Sequence, residues 1–172
     1  MMIRTNREDV ALEILKKPEC FKSLPQRTEF ERKLCLWRAP SFSTHSSWSI
    51  FQPPRSTNYI VRRLEHNPHR GLPINIDDPH IFGAEALVCP ELVAQTITSF
   101  ETLVLPMFRK PQGVGIDGTG YGVIFGNLWQ GTNVNWWGEN PAGWSPLAIL
   151  FQQTIELLDS FLPTSTLRTT GV

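Results

Sequence analysis

"GIDGTGYGVIFGNLWQGTNVNWWGENPAGWSPL", residues 115–147, holds eight glycines and four tryptophans. Such a stretch suits either a phosphate cradle or an aromatic binding platform. A phosphate loop needs a glycine-rich turn that leaves a strand and enters a helix, so that backbone N–H groups and the helix dipole meet the anion, usually beside a Lys. Here "GVGIDGTGYG" leads into an apolar run and contains no Lys, and its D-G step reads as an ordinary turn. The runs "YGVIFGN" and "TNVNWWG", separated by "LWQG", predict two antiparallel strands joined by a loop that contains Gly131. If the second run is a strand, Trp136 and Trp137 face opposite sides of the sheet. One belongs to the core and the other faces out or packs beneath a loop, the commoner outcome; if it faces out it is a candidate surface anchor, because an indole covers much area at little entropy cost.

Downstream, "GWSPLAILFQQTIELLDSFLP" predicts an amphipathic helix with Ser145 as cap, Pro146 in the first turn and Trp144 stapled onto Ile149. Its apolar stripe is Leu147, Leu150, Phe151, Ile155, Leu158, Phe161 and Leu162, which must lie against a sheet. Pro163 stops it. Residues 164–172 read as a flexible tail behind a single domain spanning 1–163.

Upstream, "NREDVALEILKK" predicts a short helix capped by Asn6 and ended before Pro18. "EFERKLCLW" alternates Phe30, Leu34 and Leu36 against Glu29, Glu31, Lys33 and Cys35. "SSWSIFQ" sets Trp48 and Ile50 on one face, and "NYIVRRLE" and "FGAEALV" read as further strands. Residues 90–108 place Val93, Ile97, Phe100, Val104 and Phe108 at helical spacing after Pro90, with Pro106 bending or ending the helix. The expected fold is α+β: one domain, a mostly antiparallel sheet, two principal helices on one face and a short N-terminal helix.

Composition excludes several function classes. The 172 residues suit one domain, and 14 prolines predict many fixed connections. Net charge is zero, although residues 1–70 carry 13 Lys/Arg against 7 Asp/Glu (+6) and residues 71–172 carry 3 against 9 (−6). Without an overall basic excess the chain lacks the electrostatic footprint of a general nucleic-acid binder. Three widely spaced cysteines, Cys20, Cys35 and Cys89, suggest neither a disulfide framework nor a thiolate zinc site. No stretch has the apolar length of a signal peptide or membrane span, so a cytoplasmic protein without a membrane partner is expected.

Candidate chemistry is sparse. The loop "HNPHRGLPINIDDPH" gathers His66, His69, Asp77, Asp78 and His80, residue types that ligate metals, but their spacing matches no known metal motif. Asp117 stands at a strand entrance, where a general base or a turn residue is found. No G-x-S-x-G elbow is present. Arg62 and Arg63 belong to a basic run with Arg55 and Arg70 that suits an acidic partner, though strand alternation sends the adjacent pair to opposite faces and a solvated edge is the plainer reading.

In "DGTGYGVIF" and "NVNWWGENPAGWSPLAILFQQTIELL" the chain resembles small uncharacterised bacterial proteins, some grouped with immunity proteins of toxin systems, which share a D-G-x-x-Y strand, a W-W step and P-x-x-W-x-x-L opening a C-terminal helix. The resemblance covers about a third of the chain and implies a non-enzymatic, protein-binding module without cofactor or metal. Trp136, Trp137, Asp117, Arg62 and Arg63 are the candidate binding residues, and the oligomeric state is left open. The alternative is a small hydrolase or metal-dependent enzyme using Asp117 with the His66/His69/Asp77/Asp78/His80 loop.

Overall fold

A computed structural model describes residues 7–67, 80–106 and 117–167. Its centre is a six-stranded antiparallel sheet: β1 (Arg32–Pro40), β2 (His45–Phe51), β3 (Tyr59–His66), β4 (Ile81–Val88), β5 (Thr119–Gly126) and β6 (Gly131–Trp137), in spatial order β4-β3-β2-β1-β5-β6. Chain neighbours β1 to β4 form a meander. The β5–β6 hairpin then returns to the open side of β1, with Leu36 opposite both Trp48 and Val123.

Helices pack on both faces of the sheet, on one of them over β1, β2 and β3. Helix α2 (Pro90–Glu101), helix α3 (Ser145–Phe161) and the short α4 (Thr164–Leu167) lie over one face; α1 (Arg7–Lys16) packs across β1, β2 and β3 on the other. On the α3 side, Leu34, Leu36, Trp48, Ile50, Val61 and Val123 meet Val93, Ile97 and Phe100 of α2 and Leu147, Phe151, Ile155 and Leu158 of α3. On the α1 side, β2 offers the small residues Ser47 and Ser49, and Ala11 and Leu15 of the helix are fully buried. Every residue of β2 is therefore buried, as a strand covered on both faces must be.

The expected α+β architecture is present, with boundary differences that have physical causes. Phe30, expected to share the inner face of Leu34 and Leu36, precedes β1 and packs instead on Trp129 at the hairpin loop. The predicted 90–108 helix ends at Glu101, and Val104 is exposed. Pro106 would withdraw a donor only from the carbonyl of Thr102, so it bars continuation past Leu105 but does not set the end at Glu101. Ser145 does not cap α3: Trp144 occupies that position, and Ile149, the expected staple partner, faces solvent. Residues 164–167 are helical rather than frayed, because Leu167 inserts into the core; 168–172 lie outside the described residues.

Leu158 has no exposed surface whereas Ile149 is mostly exposed. Replacing Leu158 by Ala is expected to cost about 2–5 kcal/mol through the cavity it leaves, and Ile149→Ala under about 0.5 kcal/mol. Equilibrium denaturation of the two variants checks the assigned face of α3.

Candidate functional site

The glycine run that opened the question resolves into a seating surface. Gly118, Gly120 and Gly122 recur every second residue, so all three lie on one face of β5. That is the α1 side, beyond the area α1 covers. A Cβ on Gly122 would fall 2.1 Å from the indole of Trp37; one on Gly118 would fall 2.7 Å from Trp137; one on Gly120 would lie 3.3 Å from Trp37 and 3.5 Å from Trp137. The glycines are smooth ground for two indoles, one from each neighbouring strand. Trp37 was not among the candidates, yet the i, i+2, i+4 glycine spacing was the sequence signal for such a bare face.

Trp136 and Trp137 diverge as strand alternation requires. Trp136 points to the helices and stacks on Tyr121 at 5.1 Å, with Phe151 at 5.5 Å and Trp144 at 6.2 Å set edge-on, an aromatic arrangement favoured by ring quadrupoles. Trp144 fixes its own place by donating its indole N–H to the carbonyl of Pro106 at 3.1 Å. Trp137 lies on the opposite side, seated on glycine yet 46% exposed. At the far end of the hairpin, Trp129 and Phe30 form a second exposed aromatic pair, 79% and 51% accessible with centroids 6.2 Å apart. Asn127 holds that loop by accepting hydrogen bonds from the N–H groups of Trp129 and Gln130, and Gly126 supplies the positive φ of 90° that the turn requires. Exposed Asn133 and Asn135 lie between the two aromatic ends, and neither β5 nor β6 carries a charged residue.

Arg62 and Arg63 do not form a surface patch. They face opposite sides as expected, but both are buried. On the α1 side, Arg62 donates to Glu85 from Nε at 2.9 Å and from its terminal nitrogen at 2.6 Å, and also to the carbonyls of Pro18 and Pro25. Arg27 completes the cluster with two bonds to the same carboxylate, at 3.1 and 2.9 Å. On the α3 side, Arg63 pairs with Asp159 at 2.9 Å, donates to the carbonyl of Leu162 at 2.8 Å, and reaches Glu65 and Thr164. A cation at a helix C-terminus meets the negative end of the dipole. These arginines are spent on internal partners, which removes them as docking residues. The apolar residues on either side of them, Ile60 and Val61 before and Leu64 after, marked a strand covered on both faces, where an arginine must be paired internally.

Burial is the largest influence on Glu85 and pushes its pKa up, but the hydrogen bonds and charges of Arg27 and Arg62 outweigh it and hold the carboxyl below its usual 4.5. The Cys35 thiol, enclosed beneath α1, is pushed up to about 12 by desolvation and is no nucleophile.

Asp117 is exposed at the start of β5, where the neighbouring Gly118 carbonyl accepts from the backbone and hydroxyl of Ser41. His66 is buried in β3, three strand spacings or roughly 14 Å across the sheet from β5, so the two are not brought together. His80 is exposed just before β4; His69, Asp77 and Asp78 lie outside the described residues. Among the described residues no three His, Cys, Asp or Glu side chains converge as a metal site would need. Comparison with protein-family models, curated proteins and solved structures finds no match to this chain.

Because the folded pKa of Glu85 is lowered, its stabilising contribution is complete above about pH 4.5 and is lost as pH falls through the lower folded value. Denaturation across the acidic range should show a steeper loss of stability for the wild type than for Glu85→Gln. Equal slopes would mean that the cluster does not couple protonation to folding. Gly122→Ala should cost about 1–3 kcal/mol, since its methyl occupies the place of the Trp37 ring; thermal unfolding with near-UV circular dichroism reads both the loss and the displaced indole.

Proposed function

We propose that this chain is a non-catalytic protein-binding module, of the immunity-protein kind that its D-G-x-x-Y, W-W and P-x-x-W-x-x-L segments resemble, and that it recognises its partner with the uncovered face of β5–β6. One observation carries the reading: Trp137 is held flat on Gly118 and Gly120 while nearly half its surface stays open to solvent. A rigid, preseated indole loses little entropy on binding, and tryptophan is the residue most enriched among interface anchors. The exposed Trp129–Phe30 pair and the uncharged strip between them add to it, since charged residues are depleted at the centre of protein interfaces.

An acidic or phosphorylated ligand is disfavoured by the same surface, since β5 and β6 offer amides and indoles but no charged side chain and the nearby Lys16 ammonium is held on the Trp37 ring. No helix among the described residues is long and apolar enough to cross a membrane, and the cysteines are free; the reading takes the chain to act in a reducing bacterial cytoplasm on a protein partner.

The two adjacent tryptophans supply the test. Trp136→Ala should destabilise the fold by about 3 kcal/mol, whereas Trp137→Ala should change stability by no more than about 1 kcal/mol. A protein captured on the immobilised wild type and identified by mass spectrometry should be lost from Trp137→Ala with its unfolding midpoint retained. Undiminished capture by that folded variant would remove the β5–β6 face as the recognition surface.

A further inference from the structure

The free edge of the sheet carries an inference separate from the aromatic face. Strand β6 ends the strand order, and no described strand lies beyond it. In the β5–β6 ladder Gly138 donates its backbone N–H to Thr119 and Asn127 donates to Gln130, which marks these as hydrogen-bonded pairs, so by alternation Thr132, Val134 and Trp136 turn their N–H and C=O groups toward β5. Gly131, Asn133, Asn135 and Trp137 therefore turn theirs outward. Sheets ordinarily blunt such an edge with charge or proline. The opposite edge does so: β4 carries Glu85, turned inward onto Arg27 and Arg62. Strand β6, GTNVNWW, has neither.

Its sequence is also self-complementary. About Val134, an antiparallel copy of the same strand would set Asn133 against Asn135, Thr132 against Trp136 and Gly131 against Trp137. All four outward residues of each copy fall in hydrogen-bonded pairs in that register, so four pairs exchange two main-chain bonds each. The amides of Asn133 and Asn135 pair side by side on the α1 face, with no like charges opposed. Trp137 would lie across Gly131 of the second copy as it already lies across Gly120 of its own chain. An apolar trough of about 300 Å³, lined in part by Phe100, Leu105, Val123 and Val134, borders the same strand on the α3 face, and across a two-fold axis through Val134 the troughs of both copies adjoin. An isologous two-fold contact of this kind closes on itself and yields a dimer, not a filament.

We infer that β6 pairs with β6 of a second copy, in the register centred on Val134, to make one continuous sheet of two chains. The inference does not depend on the proposed partner: it uses the strand edge, and Trp137 keeps its outer face.

Sedimentation or light scattering across micromolar to sub-millimolar concentrations should give a mass twice the 19.6 kDa of the chain. Asn135→Pro removes an outward N–H that its own sheet does not use, so the fold is expected to persist while the dissociation constant rises about thirtyfold, two main-chain bonds being lost per dimer. Two double variants test the register: Asn133→Lys with Asn135→Lys, and Asn133→Glu with Asn135→Glu, should each be monomeric by like-charge opposition, and mixing them should restore a dimer containing one of each, seen by native mass spectrometry. A wild type that stays monomeric overturns the inference and leaves the edge to a strand of some other chain. Dimers that survive in the double variants, or that fail to re-form on mixing, overturn it as well.

Discussion

Two adjacent arginines in β3 hold the layers of this protein to its sheet. Alternation sends Arg62 to the α1 face and Arg63 to the α3 face, and each is anchored by a carboxylate from another element, Glu85 in β4 and Asp159 in α3. Arg62 also binds the carbonyls of Pro18 and Pro25, which ties the segment after α1 down on the sheet, and Arg63 closes the C-terminus of α3 through Leu162. Removing one member of the buried Arg62–Glu85 pair leaves a desolvated charge behind, at a cost of about 3–5 kcal/mol, even though the intact pair adds little over an apolar substitute; the cost is smaller for Arg63, whose partner Asp159 is partly exposed. Its role is positional. Arg32 and Glu19, paired at 2.8 Å and buried, repeat the device nearer the chain start.

With the layers fixed, the distribution of covered and uncovered sheet follows from helix length. α1 is only ten residues long, about 15 Å, and lies over β1, β2 and β3, so no described helix covers β5 and β6 on that side. The bare area is surfaced in an unusual way. Glycines at 118, 120 and 122 provide no side chains of their own, and Trp37 and Trp137 lie over them from the strands to either side. Lys16, at the end of α1, sits 4.8 Å from the Trp37 ring centre and covers it, a cation–π contact that leaves Trp37 nearly inaccessible and Trp137 as the exposed member. The proposed recognition through this face and the proposed self-pairing through the adjoining edge would draw on different groups, indole surface in one case and backbone N–H and C=O in the other. A dimer of this type carries two Trp137 platforms on a single sheet surface, six residues apart along the strands or about 20 Å, a spacing that suits avid binding to a partner with repeated sites.

The strands along the chain, the hairpin, the two principal helices and the opposed directions of Trp136 and Trp137 follow from periodicity, turn residues and proline placement, all local properties of the chain, whereas the return of the hairpin to the open side of β1 does not. The α3 stripe and the Trp48–Ile50 face were legible for the same reason: period 3.6 and period 2 are fixed by backbone geometry. The partners of Arg62, Arg63 and Trp37 were not. Arg62 meets Pro18 and Pro25 across forty-four and thirty-seven positions, and Arg63 meets Leu162 across ninety-nine, separations over which no sequence pattern carries information. Burial of those arginines is decided by what packs on each face of β3, and the seating of Trp137 by which strand lies beside the glycines. Sequence by itself determined the elements and their two-sidedness, since these depend on neighbours along the chain. The tertiary structure alone decided which charges are buried, which indole is exposed and which edge no described strand covers, because those depend on neighbours in space.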